Sequence, residues 1–419
     1  MEKELPEGWV LTNLEMLFSL KYGKGLATKE LLAEGYPVYG ANGVIGRYRD
    51  FMYDNAKVII SCRGAASGAI HKTVPKSFVT SNSIILDEKD QSVIDIEFAK
   101  YAMINADKSS IITGTAQPQI TIQLLKYLPF PLAPVSEQKI IANKLDTLFG
   151  HLDALREKLD RIPPLLQNFR QQVLTQAVTG KLTEEWRGSE ELVDWEELQV
   201  SQIGKVTGGL TKNAKRRDHK LKLPYLRVAN VYANELRLEE ILEIGLTEKE
   251  FERTALKTND LLVVEGNGSP DQIGRVALWD GTINPCVHQN HLIKIRFTDG
   301  SMAKYTLLYL LSPLGRNQIK NVSVSTSGLY TLSIGKVSKL AVNLPPQEEQ
   351  QEIVRRVEGL FSAADALEAR YQKLKAQIDA LPQAILAKAF KGELLPQNRE
   401  DEPAGVLLER IKGERGVKL

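Results

Sequence analysis

The 419-residue chain has few of the residues on which small secreted domains and metalloenzymes depend. It contains 2 cysteines, Cys62 and Cys286, which lie far apart, and 5 histidines. This excludes a disulfide framework and favours a reducing, cytoplasmic compartment. No stretch approaches the roughly 18 apolar residues of a membrane helix, and MEKELPEGW at the N-terminus has no apolar signal core.

Sequence motifs of catalysis and metal binding are also scarce. The chain has no G-x-x-x-x-G-K-[ST] loop, and the glycines of EGNGSPDQIG do not fit G-x-G-x-x-G, so we predict a turn there. His288 and His291 lie in a strand-like run without a third ligand nearby, which favours a structural or DNA-contacting role over a metal site. We predict no enzyme and no bound metal. An active site around His288, Gln289 and His291 is kept as an alternative.

What is present is an internal repeat. A shift of 212 residues superimposes LAPVSEQKII, from Leu132, on LPPQEEQQEI, from Leu344. Two tryptophans, Trp9 and Trp195, open weaker matching segments only 186 residues apart, so the second half carries about 26 extra residues before its helical block. The order is module, helix, module, helix. Such a duplication could be a gene-fused homodimer without a particular task, but similar helices with diverged modules favour two related, non-identical ligands.

Both helical blocks show an unbroken heptad pattern of apolar residues, typical of a coiled coil. The predicted seam comprises Ile141, Leu145, Leu148, Leu152, Leu155 and Leu159 in the first block and Ile353, Val357, Leu360, Leu367, Tyr371 and Leu374 in the second. Two helices in one chain can pair with each other, and an antiparallel pair would put one module at each end. Two separate core helices are the alternative.

Two prolines interrupt the first helical block without changing the heptad step. Pro163 and Pro164 lack helical N–H donors, and Pro163 disfavours helical geometry at Ile162. We predict a kink, or a tight break between stacked helices, with one proline in a first helical turn. The second block has its proline, Pro382, at a different position.

Short apolar runs bounded by Gly, Pro and Asn, such as KVIISCRG and DLLVVEGNG, predict two α+β modules. The predicted fold class is α+β, with two recognition modules separated by an antiparallel intramolecular coiled coil in a pseudo-two-fold repeat. The predicted domains are residues 1–127, 128–186, 187–339 and 340–394, followed by a tail at 395–419.

Net charge is only +2, so any basic surface must be local. A basic loop, Thr211 to Lys222, carries six cations against Asp218 alone, and a dispersed set in the first module is interleaved with tyrosines. Lysine and arginine suit phosphates, whereas Asn, Gln and Arg suit base edges. The candidate DNA contacts are Lys21, Lys24, Lys29, Asn42, Arg47, Arg49, Arg63, Lys212, Lys215, Arg216, Arg217, Lys220, Arg227, Asn230, Asn267, Gln272, His288 and Gln289. Solvated loops are the alternative.

This combination resembles the specificity subunit of Type I restriction–modification systems. LAPVSEQKIIANKLDTLFGHLDAL and LPPQEEQQEIVRRVEGLFSAADAL resemble the two helical regions of that family, and LPEGWV and VDWEELQV resemble the entries to its target recognition domains. The resemblance covers essentially the whole chain and combines motif, order and repeat.

The resemblance implies a non-catalytic, sequence-specific DNA-binding subunit. Each module would read one half of a bipartite, asymmetric site, and the helices would set the spacer and dock modification subunits, usually two. S-adenosylmethionine would be bound by those subunits, and ATP and Mg by restriction subunits. A coiled-coil scaffold with protein- or glycan-binding modules is the alternative.

Overall fold

The computed structural model describes residues 5–188, 195–326 and 328–414. The start of the predicted first module, Val193 and Asp194 at the entry to the second, and the end of the predicted tail lie outside these ranges. The chain divides into two compact units: unit 1 comprises Met1–Leu159 and Lys373–Leu419, and unit 2 comprises Asp160–Gln372. None of the described helices is long and apolar enough to span a membrane.

The first module, in unit 1, is a set of short strands with three small helices. Its strands are β1 (Val10–Asn13), β2 (Phe18–Tyr22), β3 (Tyr36–Gly40), β4 (Gly43–Tyr48), β5 (Val58–Ser61), β6 (Ile70–Lys72), β7 (Phe78–Val79), β8 (Ser83–Glu88) and β9 (Pro129–Leu132); its helices are α1 (Leu14–Leu17), α2 (Ile96–Asn105) and α3 (Ile122–Leu125). One sheet has the antiparallel order β2-β8-β5-β6, another has the order β4-β3-β7 with β3 parallel to β7, and β1 pairs with β9. The segments VIIS of β5 and SIIL of β8 are mostly apolar because these strands lie at the centre of the sheet and are buried on both faces there.

The second module, in unit 2, repeats this plan with additions. Its strands are β10 (Glu196–Gln199), β11 (Gly204–Gly208), β12 (Leu221–Leu226), β13 (Val231–Tyr232), β14 (Glu235–Leu236), β15 (Leu242–Leu246), β16 (Leu261–Val264), β17 (Gly266–Asn267), β18 (Val276–Leu278), β19 (Val287–His288), β20 (Leu292–Phe297), β21 (Val324–Thr326), β22 (Leu329–Thr331) and β23 (Ala341–Leu344). Its helices are α6 (Glu184–Arg187), α7 (Val200–Ile203), α8 (Glu248–Thr254), α9 (Met302–Leu311), α10 (Pro313–Val322) and α11 (Ile334–Ser338). The sheet order β11-β20-β16-β18 corresponds to β2-β8-β5-β6, and β15-β12-β19 corresponds to β4-β3-β7.

Two glycines show how closely the backbones of the two modules match. A Cβ on Gly23 would lie 2.2 Å from the carbonyl oxygen of Thr80, and a Cβ on Gly209 would lie 2.1 Å from that of His288. Only glycine allows the backbone to approach so closely at the end of β2 and of β11. The repeat therefore extends into the modules, where the sequences have diverged.

The long helices are α4 (Val135–Asp160), α5 (Ile162–Val178) and α12 (Gln347–Ala389), and α13 (Ala404–Glu414) ends the described chain. In unit 1, Ile141 and Leu145 of α4 share a core with Phe390 and Leu386, and Arg156 pairs with Asp379. In unit 2, Arg170 of α5 pairs with Asp365, while Arg356 binds the carbonyl of Leu182. In each unit, residues later in the first helical block contact residues earlier in the second block, so the two blocks run antiparallel within each unit.

The prolines act as predicted at the break between α4 and α5. Arg161 is the N-cap of α5, and the prolines follow Ile162 in the first turn, where their missing N–H groups would have no helical acceptor. Pro382, by contrast, lies inside the continuous helix α12.

The predicted seam needs a correction, because only part of it is covered. Ile141, Leu145, Leu152, Ile353, Val357 and Tyr371 are buried, and Leu148, Leu159 and Leu360 are half-buried. Leu155, Leu367 and Leu374 are 46%, 53% and 48% exposed. One row of the heptad pattern is therefore covered, and the other remains partly in solvent.

A hydrogen bond from a tryptophan to a glutamate ties each module to its helix. Trp9 donates from Nε1 to Glu137 at 3.0 Å, and Trp195 donates to Glu349 at 2.8 Å, 212 residues further along the helical repeat. In unit 1 the returning tail completes this contact, because Gln397 donates to the carbonyl of Glu7 and Ala404 N–H to that of Gly8. The tail thus returns to the N-terminal segment of the chain.

Candidate nucleic-acid interface

In the first module, five polar residues meet at one end of the sheets, and we call them the first loop face: Lys24, Asn42, Arg63, Asn82 and Gln119. Backbone contacts bring them together. Ser81 N–H donates to Lys24 O at 3.0 Å, and Cys62 N–H donates to Asn82 O at 2.8 Å. Arg63 forms a bridge with Gln119, and Ser61 Oγ anchors the turn that carries Asn42 by donating to Ala41 O. All five side chains are exposed.

The second module has a corresponding set, the second loop face: Asn267, Gln272, Gln289, Asn290 and His291. Asn290 N–H donates to Leu210 O at 3.0 Å, as Ser81 does to Lys24 O. Glu265 N–H donates to His291 O at 2.9 Å, as Cys62 does to Asn82 O. Asn267 pairs with Tyr330 in the neighbouring strand. The backbone frame is the same in the two faces, whereas the side chains differ.

The basic loop of the second module is a short 3-10 turn, Ala214–Asp218, with extended flanks. Lys212, Lys215, Arg217 and Lys220 are exposed there and free to meet phosphates. Arg216 is different. Its guanidinium donates to Glu250 at 2.8 and 3.1 Å, to Thr211 O and to Gly245 O. Together with the capping Thr247, Arg216 lowers the pKa of Glu250 to about 2, so Arg216 is a structural residue.

Two other candidates need correction because they are buried. Asn230 is 3% exposed and donates from Nδ2 to Arg237 O and Glu240 O, while its Oδ1 accepts from Arg227 N–H. His288 is 0% exposed, and burial together with the nearby Lys294 lowers its pKa to about 3. Neither side chain can reach a base without unfolding its surroundings. In the described ranges, no group of three His, Cys, Asp or Glu residues could hold a metal ion.

The remaining candidates do not join either face directly. Lys21 pairs with Asp87 at 3.2 Å. Arg47 lies near the end of β4 that is remote from Asn42, and it donates to Gly35 O at 2.8 Å. Arg49 lies over the Tyr48 ring, and Lys29 is in an exposed 3-10 turn. Arg227 is half-buried and donates to Glu240 O.

Sequence reasoning missed Asn82, Gln119 and Asn290 as interface candidates. A signal was available for two of them. Each of the runs VTSNS and VHQNHL has an apolar strand end followed by a polar turn and the next strand. Comparing these two runs would have paired Asn82 with His291 and Ser81 with Asn290. Gln119 is distant in sequence and is brought to Arg63 only by the fold.

Comparison with known proteins identifies the family. Residues 6–163 and 192–376 match the Type I restriction modification DNA specificity domain. The chain is 31% identical over 455 residues to the EcoKI specificity subunit of Escherichia coli K12, covering 99% of this chain and 97% of that protein. The HsdS subunit from Thermoanaerobacter tengcongensis superimposes with a TM-score of 0.60 at 17% identity, covering 94% and 99% of the two chains. A chain from a structure of Type I system complex assembly superimposes with a TM-score of 0.68 at 16% identity, covering 93% and 100%.

The chain therefore belongs to the family of Type I restriction–modification specificity subunits. It is the DNA sequence specificity subunit of such a system and a non-catalytic part of the complex, as predicted, and the cofactors reside on the modification and restriction subunits. The predicted α+β architecture with paired long helices is confirmed by the fold and by its likeness to the solved subunits.

Proposed function

We propose that residues 1–127 and 187–339 each read one half of a bipartite, asymmetric DNA site. The observation that carries this proposal is the pair of loop faces. They occupy the same position on a repeated frame but present different side chains, with Lys24 and Arg63 in the first and His291 and Gln289 in the second. Different donors and acceptors at matching positions suit two different half-sites.

Within each face the side chains divide by chemistry. Lys24, Arg63 and the exposed cations of the basic loop bind phosphates and position the module, while Asn42, Asn82, Asn267, Gln272 and Gln289 bind base edges. Asn230, His288 and Arg216 are left out, because the first two are buried and the third is held by Glu250.

We propose further that the helical segments 128–186 and 340–394 set the spacer and dock the modification subunits, two per complex. The uncovered heptad row supports docking, since Leu155 and Leu374 in unit 1 and Phe169 and Leu367 in unit 2 are between 40% and 53% exposed. An apolar row of this kind suits a partner helix. The proposed compartment is the cytoplasm, where the free thiols of Cys62 and Cys286 remain reduced.

Footprinting of the complex with its modification subunits tests the proposal. We expect two protected half-sites separated by an unprotected spacer. Asn42→Ala should reduce protection of one half-site and Gln289→Ala that of the other. Lys339→Ala, an exposed residue outside both faces, is the matched control. One continuous protected sequence, or loss of both halves in either variant, would contradict the two-module account.

A further inference from the structure

Unit 2 contains a cleft of about 550 Å³ between α8 and the sheet formed by β11 and β20. Five cationic side chains line it: Lys205, Lys249, Arg253, Lys294 and Arg296. Two carboxylates, Glu250 and Glu252, also reach it, but Glu250 is bound to Arg216. Positive charge is therefore in excess.

The strand register concentrates this charge on one face of the sheet. Lys205 lies opposite Arg296, and Thr207 lies opposite Lys294, so all four side chains point to the same side. Like charges directly opposite each other on neighbouring strands are destabilising. Asp260 offsets Arg296 with a contact of 2.6 Å, which leaves Lys205 and Lys294.

Lys294 is the residue of this set whose charge is most costly to bury. It is 2% exposed, and its Nζ donates to the carbonyls of Arg253 and Ala255, each at 3.0 Å. An ammonium group has three donors, and no ion pair joins Lys294 to a carboxylate in the described part of the chain. Burial, followed by the charge of Arg296, lowers the pKa of Lys294 to about 8.

The equivalent face of unit 1 shows that the frame does not require this lysine. The strand pair β2–β8 of unit 1 corresponds to β11–β20 of unit 2. In this pair Ile85 occupies the position of Lys294, and Asp87 occupies that of Arg296. Asp87 there binds Lys57 at 2.7 Å and Lys21 at 3.2 Å, so charge is balanced. Among the described residues of this sheet face, a buried lysine without a carboxylate partner occurs in unit 2 and not in unit 1, and a bound anion would offset the cost of burying it.

We propose that this cleft binds a phosphate group, held by Lys205, Arg253 and Lys294. Arg253 donates from Nη1 to Gly208 O at 2.7 Å, which keeps its guanidinium at the rim with other donors available. Gly208 is the last residue of β11, two positions before Leu210, whose carbonyl holds Asn290 of the second loop face. A DNA phosphodiester beside the half-site and a free phosphate share this chemistry; the first source rests on the proposed function.

The test uses the full chain with Lys205→Gln and Lys294→Met combined. The matched control combines Lys304→Gln and Lys339→Gln, which remove two exposed cations of unit 2 outside the cleft. Lys205→Gln alone guards against misfolding, because Lys205 is exposed. One arm compares thermal unfolding in inorganic phosphate and in chloride at equal ionic strength. The other measures the salt dependence of DNA binding by the complex with modification subunits.

We expect phosphate to stabilise the parent chain and the control but not the cleft variants. If the ligand is a DNA phosphodiester, the slope of log K against log salt also becomes shallower by about 1 in the cleft variants, with base preference retained. Phosphate stabilisation with an unchanged slope assigns the cleft to free phosphate. No difference between cleft variants and control in either arm overturns the proposal. If neither the parent chain nor any variant binds DNA, the proposed function is refuted. Thermal unfolding in phosphate would still test whether the cleft binds a phosphate group.

Discussion

Adjacent arginines of the basic loop should behave differently when each is replaced by alanine. Arg216 binds Glu250, whose pKa falls from 4.5 to about 2, and each tenfold change in proton affinity corresponds to about 1.4 kcal/mol. Thr247 contributes part of that change, and solvent screens the pair because Glu250 is partly exposed. We therefore expect Arg216→Ala to destabilise the second module by about 1 to 2 kcal/mol at pH 7. Arg217→Ala should leave stability unchanged and make the salt slope of DNA binding shallower by about 0.9.

Hydrogen exchange of the amides in α8 and β15 measures the first effect, and we expect exchange about five- to thirtyfold faster in Arg216→Ala. The folded-state pKa of Glu250 is lowered, so its stabilisation is fully present above about pH 4.5 and is lost as the pH falls toward 2. The stabilities of the parent chain and of Arg216→Ala should therefore converge as the pH falls from about 4.5 toward 2. Unchanged exchange in Arg216→Ala, together with a shallower salt slope, would refute the structural role and return Arg216 to the DNA interface.

Three further predictions concern other parts of the molecule. Replacing exposed Leu155 and Leu374 with serine should weaken binding of modification subunits at least about tenfold in a titration, because apolar area is lost without disturbing the fold; a matched change at exposed Lys158 should not. Asn42→Ala should cost about 1 to 3 kcal/mol of discrimination at one base pair without changing the salt slope, and equal losses on all sequences would exclude base reading. His288→Gln should reduce the loss of stability between pH 6.5 and 3, because the folded state holds His288 neutral with a pKa of about 3; identical pH profiles would contradict this.

The repeat was predictable because its helical blocks have matching heptads without gaps. Heptad spacing identified both long helices, and the chemistry of Pro163 and Pro164 identified the break between α4 and α5. Burial along the seam was predicted less well. Periodicity shows that Leu155 and Leu145 share a face, but how many neighbours cover that face is decided by tertiary packing.

The interface was predicted by residue type and corrected by tertiary contacts. Sequence shows that Arg216 and Arg217 are both basic, but Glu250, which selects one of them, lies more than thirty residues away. His288 and His291 lie three positions apart, yet His288 is buried at the end of β19 and His291 is exposed after the turn that follows. The cluster containing Lys205 and Lys294 was not predicted, because the two lysines lie on strands that become neighbours only in the folded sheet.

Exchange of one module tests the central claim most directly. Residues 1–127 would be replaced by the corresponding module of another specificity subunit, and methylated bases would be mapped in DNA modified by the resulting complex. The account predicts that one half of the recognised site changes while the other half and the spacer stay the same. A change in both halves, or in neither, would contradict the claim that each module reads its own half-site.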